Sequence, residues 1–248
     1  MTDLEGKVVL VTGGGTGLGA ETCRSLAAAG ALVAVGWSTS GEAASKLADS
    51  LPGAVAVRAD VRDIDDVQTM VRHVEHDLGA VDLLVNNAGV TTYVAHDDLD
   101  AITTDDWERI LGVNLIGAWN CTKAVVPSMR RRASGAIVNV ASDAALTAEG
   151  SSVPYVASKA ALVAMTRSLA AALSPIRVNA VAPGWMDTPW LDRYVPEDVV
   201  RDIRDGREES VEVEVAAREI VGLLRDDDAN GVVVQLEAGG FREVHFAD

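Results

Sequence analysis

Aromatic residues are scarce in this chain. They make up 4% of 248 residues, so its core has to be filled mostly by Ala, Val and Leu. Cysteine is scarcer still. Cys23 and Cys121 stand far apart, which excludes a disulfide scaffold and any cysteine-based metal spacing. Both are expected inside helices as small hydrophobes. No metal site is expected. Basic residues are outnumbered, 21 Lys and Arg against 37 Asp and Glu, for a formal net charge of −16. Such a chain repels phosphate backbones and anionic lipid surfaces, so neither nucleic acid nor membrane is an expected partner. The opening stretch MTDLEGKVVL carries acids where a secretory leader would carry bases, and no apolar run of membrane-spanning length follows it. A cytoplasmic location is the expectation.

What is present is a regular alternation. Short β-branched runs at 7–11, 31–37, 54–60, within 81–89, and at 135–142, 176–184 and 231–237 are separated by longer helical stretches. Continuous apolar strands between helices imply a parallel sheet covered on both faces. The predicted fold is α/β and doubly wound, with seven parallel strands in a single domain over 1–248. One segment departs from the pattern. Residues 192–219 are dense in charge and poor in apolar residues. Their place after the sixth strand suggests a mobile flap around 189–215, closing over a substrate. VEVEV (211–215) alternates like a strand but runs into AAREIVGLL, and reads as the start of a helix.

LVTGGGTGLGAE (10–21) follows the first strand and opens the first helix. Glycines let the backbone turn tightly and approach a pyrophosphate, and the helix N-terminus offers free N–H groups and a positive dipole end. Two registers fit. Gly15, Gly17 and Ala20 match the general dinucleotide fingerprint; Thr12, Gly13, Gly17 and Gly19 match a second spacing. PYVASKA (154–160) places a phenol and an amine four apart, hence on one helix face. A carbonyl that accepts hydride needs an acid beside it. A free Tyr, with pKa near 10, exchanges protons poorly at neutral pH, and a nearby cation lowers that value. Pro154 suits the first turn of such a helix.

The chain resembles the short-chain dehydrogenase/reductase family, in its single-domain form similar to 3-oxoacyl-carrier-protein reductases. The resemblance covers residues 6 to about 240. It is carried in order by TGGGTGLG (12–19), DV (60–61), NNAG (86–89), VN (113–114), Ser142, YVASK (155–159) and PGWMDT (183–188). It implies a Rossmann-type sheet and a nicotinamide dinucleotide as cofactor. By resemblance Tyr155 is the general acid in reduction and the base in oxidation. Lys159 lowers its pKa and holds the nicotinamide ribose. Ser142 bonds the substrate oxygen, and Asn114 holds a water that links Lys159 to solvent. The phosphate loop would be Gly13, Gly15, Thr16, Gly17, Leu18 and Gly19. Asp60 and Val61 would meet the adenine, and Asn87, Ala88 and Gly89 the adenosine side of the cleft. Pro183, Gly184, Met186 and Thr188 would hold the carboxamide.

An acid ending the second strand would select NAD. Trp37 stands there, followed by Ser38 and Thr39, which can donate to a 2′-phosphate. That leans modestly towards NADP(H) over NAD(H), since Thr16 stands where an Arg would strengthen it. Substrate-pocket candidates are Tyr93, Leu146, Trp185 and Trp190, with Thr91, His96, Glu149 and Leu191 nearby in sequence. The mix favours a neutral carbonyl or alcohol of moderate size. An NAD-linked sugar or polyol dehydrogenase is the alternative within enzymes, and a non-catalytic dinucleotide-binding regulator the alternative outside them. Long Ala-rich helices around 104–131 and 154–173 allow a homo-oligomer, a tetramer or a dimer.

Overall fold

The computed structural model describes residues 1–245. Its strands are β1 (Val8–Val11), β2 (Leu32–Trp37), β3 (Val55–Arg58), β4 (Leu83–Asn86), β5 (Ala136–Val140), β6 (Arg177–Pro183), β7 (Val233–Glu237) and β8 (Gly240–Glu243). They form one sheet in the order β3-β2-β1-β4-β5-β6-β7-β8. The first seven are parallel, as expected. The eighth is a correction to the seven-strand reading: β8 runs antiparallel to β7, with Glu237 opposite Gly240. Its glycine-rich start reads as a terminal loop in the sequence. Gly239, at φ +87°, instead closes a tight hairpin there.

Strand residues alternate between two cores. From β1, Val9 and Val11 join one cluster with Cys23, Leu26, Leu47, Ile220 and Leu224. Val8 and Leu10 face the other, with Met70, Val74, Cys121, Val125 and Met129. The first face is covered by α1 (Gly17–Ala28), α2 (Gly41–Ser50) and α10 (Val213–Arg225). The second is covered by α3 (Ile64–Asp77), α5 (Ala118–Arg132) and α7 (Val153–Leu173). Burial on both sides is why these strands read as unbroken apolar runs. Each fully buried Leu or Val contributes about 1.5–3 kcal/mol against exposure. Both cysteines lie buried in helices.

Local signals set several helix starts. Asp63 caps α3, accepting from the N–H groups of Asp65 and Asp66. Thr103 and Asp106 form a reciprocal capping box at α4 (Thr104–Leu111). Between α4 and α5 the helix loosens to a π-turn over Gly112–Gly117, which carries Asn114. Strand order reverses between β1 and β4, so the crevice opens at the carboxyl edge beside the glycine loop. α7 is long and apolar enough to cross a membrane by length and composition. Here it lies along β5 and β6, and Lys159 points from it into the protein.

The charged segment after β6 is richer in apolar packing than its sequence suggests. It folds as α8 (Pro189–Tyr194) and α9 (Glu197–Arg204). Leu191, Val195, Val200 and Ile203 form a small core of their own, flanked by Trp185 and Trp190. Arg204 pairs with Asp187 and Asp192 on its outer side. α10 begins at Val213, in keeping with the helical reading of 211–215.

Candidate active site

One cleft of about 810 Å³ runs along the carboxyl edge of the sheet. At one end β1 leads into the glycine loop. Thr12 organises it: its hydroxyl accepts the N–H groups of Asn87 and Ala88, each at 3.1 Å. Asn87 in turn donates to the carbonyls of Thr12 and Gly13 at 2.9 and 3.0 Å. The loops after β1 and β4 are thereby locked together. Gly17 sits at φ +53°, facing Thr188. A Cβ on Gly19 would meet Asn87 Nδ2 at 2.5 Å, so this contact requires glycine. Thr16 caps α1 without a side-chain bond, and the first-turn N–H groups stay free for a ligand. These features fit the diphosphate of a dinucleotide.

Trp37 ends β2, with its ring over the start of α2: a Cβ on Gly41 would lie 2.8 Å from it. Ser38 and Thr39 line the cleft beside it. Asp60 and Val61 line it too, just past β3 rather than within it. Asp60 is paired with Arg62 at 2.6 Å, and the hydrogen bonds from that guanidinium hold its carboxyl below the usual range. Ala88 and Gly89 complete this wall.

At the other end stand Ser142, past β5, and Tyr155 and Lys159 on α7. Burial pushes the half-buried Tyr155 phenol up to about 12, and the Asp143 carboxylate adds to the rise. Burial also takes the Lys159 ammonium down to about 8. Lys159 Nζ donates to the Val140 carbonyl at 2.7 Å and lies 5.7 Å from the Tyr155 ring centre. Burial sets the direction of the Tyr155 shift, and Lys159 is not among the groups that act on it.

Asn114 does not line the cleft. Its Oδ1 accepts the Val90 N–H at 2.9 Å, and its Nδ2 donates to Val90 O and Ser158 Oγ, each at 3.0 Å. A Cβ on Gly89 would lie 3.6 Å from both Asn114 Oδ1 and Lys159 Nζ, so the two face one small space. Pro183, Gly184, Met186 and Thr188 line the cleft where β6 ends. Trp185, Trp190 and Leu191 close its roof, and Trp190 lies 5.9 Å from the Tyr155 ring, centre to centre.

Besides Asn114, other expected residues stand off the wall. Gly15 faces Ser40 and Ala44 behind the loop. Leu146 packs on the cluster of Ala141, Val163 and Ala180. Tyr93 is exposed outside the cleft. Thr91 is buried against Ser151, and His96 bonds the Gly150 carbonyl. Glu149 reaches the rim. The sequence reading passed over Asp143, Arg109, Arg193 and Tyr194, which do line the cleft. Asp143 alone carried a signal, as an acid beside the serine ending a buried strand.

A family model described as short chain dehydrogenase matches residues 7–198. A Streptomyces violaceoruber protein, whose name places it as a ketoacyl reductase in granaticin polyketide synthesis, is 41% identical over 244 residues; the match covers 95% of this chain and 96% of that one. D-beta-hydroxybutyrate dehydrogenase of Cupriavidus necator is 31% identical over 257 residues, covering 98% and 95%. The crystal structure of 3-ketoacyl-(acyl-carrier-protein) reductase from Brucella melitensis complexed with NADH has a TM-score of 0.86 at 30% identity, covering 95% of this chain and 98% of that one.

Proposed function

The chain belongs to the short-chain dehydrogenase family, and from that premise we propose that it reduces the carbonyl of a 3-oxoacyl-type substrate with NADPH. Membership makes it an oxidoreductase of CH–OH and C=O groups that uses a nicotinamide dinucleotide. One observation carries the finer reading. Tyr155 and Lys159 stand one turn apart on α7, with Ser142 on the same wall, at the end of the cleft opposite the glycine loop. A phenol there can hand its proton to the oxygen of a carbonyl that accepts hydride, which suits reduction.

The bound nicotinamide would supply hydride. The chain's own groups do the rest. Free N–H groups of the α1 first turn, with Gly17 and Gly19, hold the diphosphate. Thr188 and Met186 fix the carboxamide side. Ser142 orients the substrate oxygen, and Tyr155 delivers a proton to it from the phenolic oxygen. Lys159 restores that proton, helped by its own lowered pKa. Asn114 and Lys159 face each other beside Gly89, where a relay water would sit between them. Trp190 excludes bulk water above the Tyr155 ring.

The absence of a carboxylate at Trp37, and the hydroxyls of Ser38 and Thr39, support NADP(H). The ketoacyl names of the relatives support the substrate class. Exposed Ile116, Trp119 and Val153 support packing against a second copy. The test follows absorbance loss of NADPH and NADH against a 3-oxoacyl thioester and against simple ketones. Faster consumption of NADPH with the thioester is expected. Preference for NADH overturns the cofactor reading, and no consumption with any carbonyl overturns the reductase reading.

A further inference from the structure

Asp143 lies between Ser142 and the short helix α6 (Ala144–Thr147), on the cleft wall. Its Oδ1 accepts the Ser142 hydroxyl at 3.0 Å and the Ala144 N–H at 2.7 Å. Its Oδ2 faces Gly184, where a Cβ would stand 3.3 Å away. The carboxylate is thus wedged between the ends of β5 and β6, beside the Ser142 and Tyr155 pair. A hydroxyl has one hydrogen. With that hydrogen turned to Asp143, the lone pairs of Ser142 are left to face Tyr155 and the substrate.

The charges that shift its carboxyl are of one sign. Glu149 faces Asp143 from the loop after α6, and Glu237 from the end of β7. Burial first, then those two charges, hold its carboxyl above the usual range, against the pull of the Ser142 and Ala144 bonds. No cation of the cleft is among the groups that shift it, and each has its own partner. Lys159 bonds the Val140 carbonyl. Arg109 is held by Thr91 O, Thr92 Oγ1 and Asp106. Arg62 pairs with Asp60, and Arg193 stands beside Thr39, both at the cofactor end.

We infer that Asp143 sets the charge class of the substrate: the carbonyl that reaches Ser142 and Tyr155 carries no free carboxylate beside it. This rests on the reading of the cleft as a carbonyl-reductase site. A 3-oxo ester or thioester meets no repulsion there. A free 3-oxo acid, with its carboxylate one carbon from the reacting carbonyl, brings like charge close to Asp143. Repulsion at that range lowers affinity roughly tenfold or more, even with surface-like screening.

The test compares acetoacetate with its neutral ethyl ester. Binding to the complex with oxidised dinucleotide is read by quenching of tryptophan fluorescence, since Trp185 and Trp190 lie on the wall. Reduction of both ligands is measured in parallel as kcat/KM. The expected result is an ester preference of roughly tenfold or more in both readouts. It should shrink strongly in Asp143→Asn and persist in Asp143→Glu, and dinucleotide affinity checks that each variant is folded. An unchanged ester-to-acid ratio in Asp143→Asn overturns the inference. So does equal binding of acid and ester to the unaltered protein, or binding of neither. A binding preference without turnover would sink the reductase reading and leave the inference standing.

Discussion

The two ends of the cleft are built differently. The glycine-loop end is made of backbone: free N–H groups, glycines pressed against Asn87 and Thr188, and carbonyls tied by Thr12 and Asn87. The Tyr155 end is made of side chains from three separate segments: Ser142, Tyr155, and Trp185 with Trp190. A backbone site tolerates no added atom but asks little of side-chain chemistry. A side-chain site can change its substrate by single substitutions while the first end stays intact. In the function proposed for this chain, the first end keeps the cofactor and the second chooses the reaction partner.

Tyr155→Phe separates the two ends most sharply. It should lower kcat by roughly 10²–10⁴ while leaving the dinucleotide dissociation constant unchanged, as binding titration and turnover together would reveal. Gly19→Val attacks the other end. Its side chain would collide with Asn87, and dinucleotide affinity should fall by roughly a hundredfold, since the loop must shift for the diphosphate to enter.

Lys159→Met tests the join between the ends through stability. Folding lowers the Lys159 pKa from 10.5 to about 8. Between those values the unfolded chain binds more protons than the folded one, so stability rises with pH there. Below about 8 both states carry the charge and the burial cost is fully present. Denaturant midpoints across that window should climb less steeply in the variant. Trp190→Ala is the mildest. Its ring pair with Tyr155 contributes about 0.5–1.5 kcal/mol, so KM should rise roughly tenfold with dinucleotide affinity unaltered. If dinucleotide affinity fell as well, the two ends would not be separable.

Much of this was readable in one dimension. The seven parallel strands, the glycine loop and the Tyr155, Lys159 pair all rest on local patterning: apolar runs, glycine spacing, an i, i+4 helix step. Leu146 illustrates the limit. It lies four residues past Ser142 and was expected on the wall, but the turn of α6 directs it into the cluster with Ala141 and Val163. Trp185 and Trp190 were expected there as residues that follow the sixth strand, yet the small core of α8 and α9 is what sets Trp190 beside Tyr155.

The sequence by itself determined the seven parallel strands and the glycine loop, because unbroken apolar runs and glycine spacing depend on neighbours along the chain. Only the tertiary structure decided the rest. It buried the Tyr155 phenol, committed Lys159 to Val140, and set Asp143 against Ser142 with Glu149 and Glu237 behind it. Desolvation and charge depend on every group within a few ångströms, and residues as distant as 143 and 237 become neighbours only when the sheet closes.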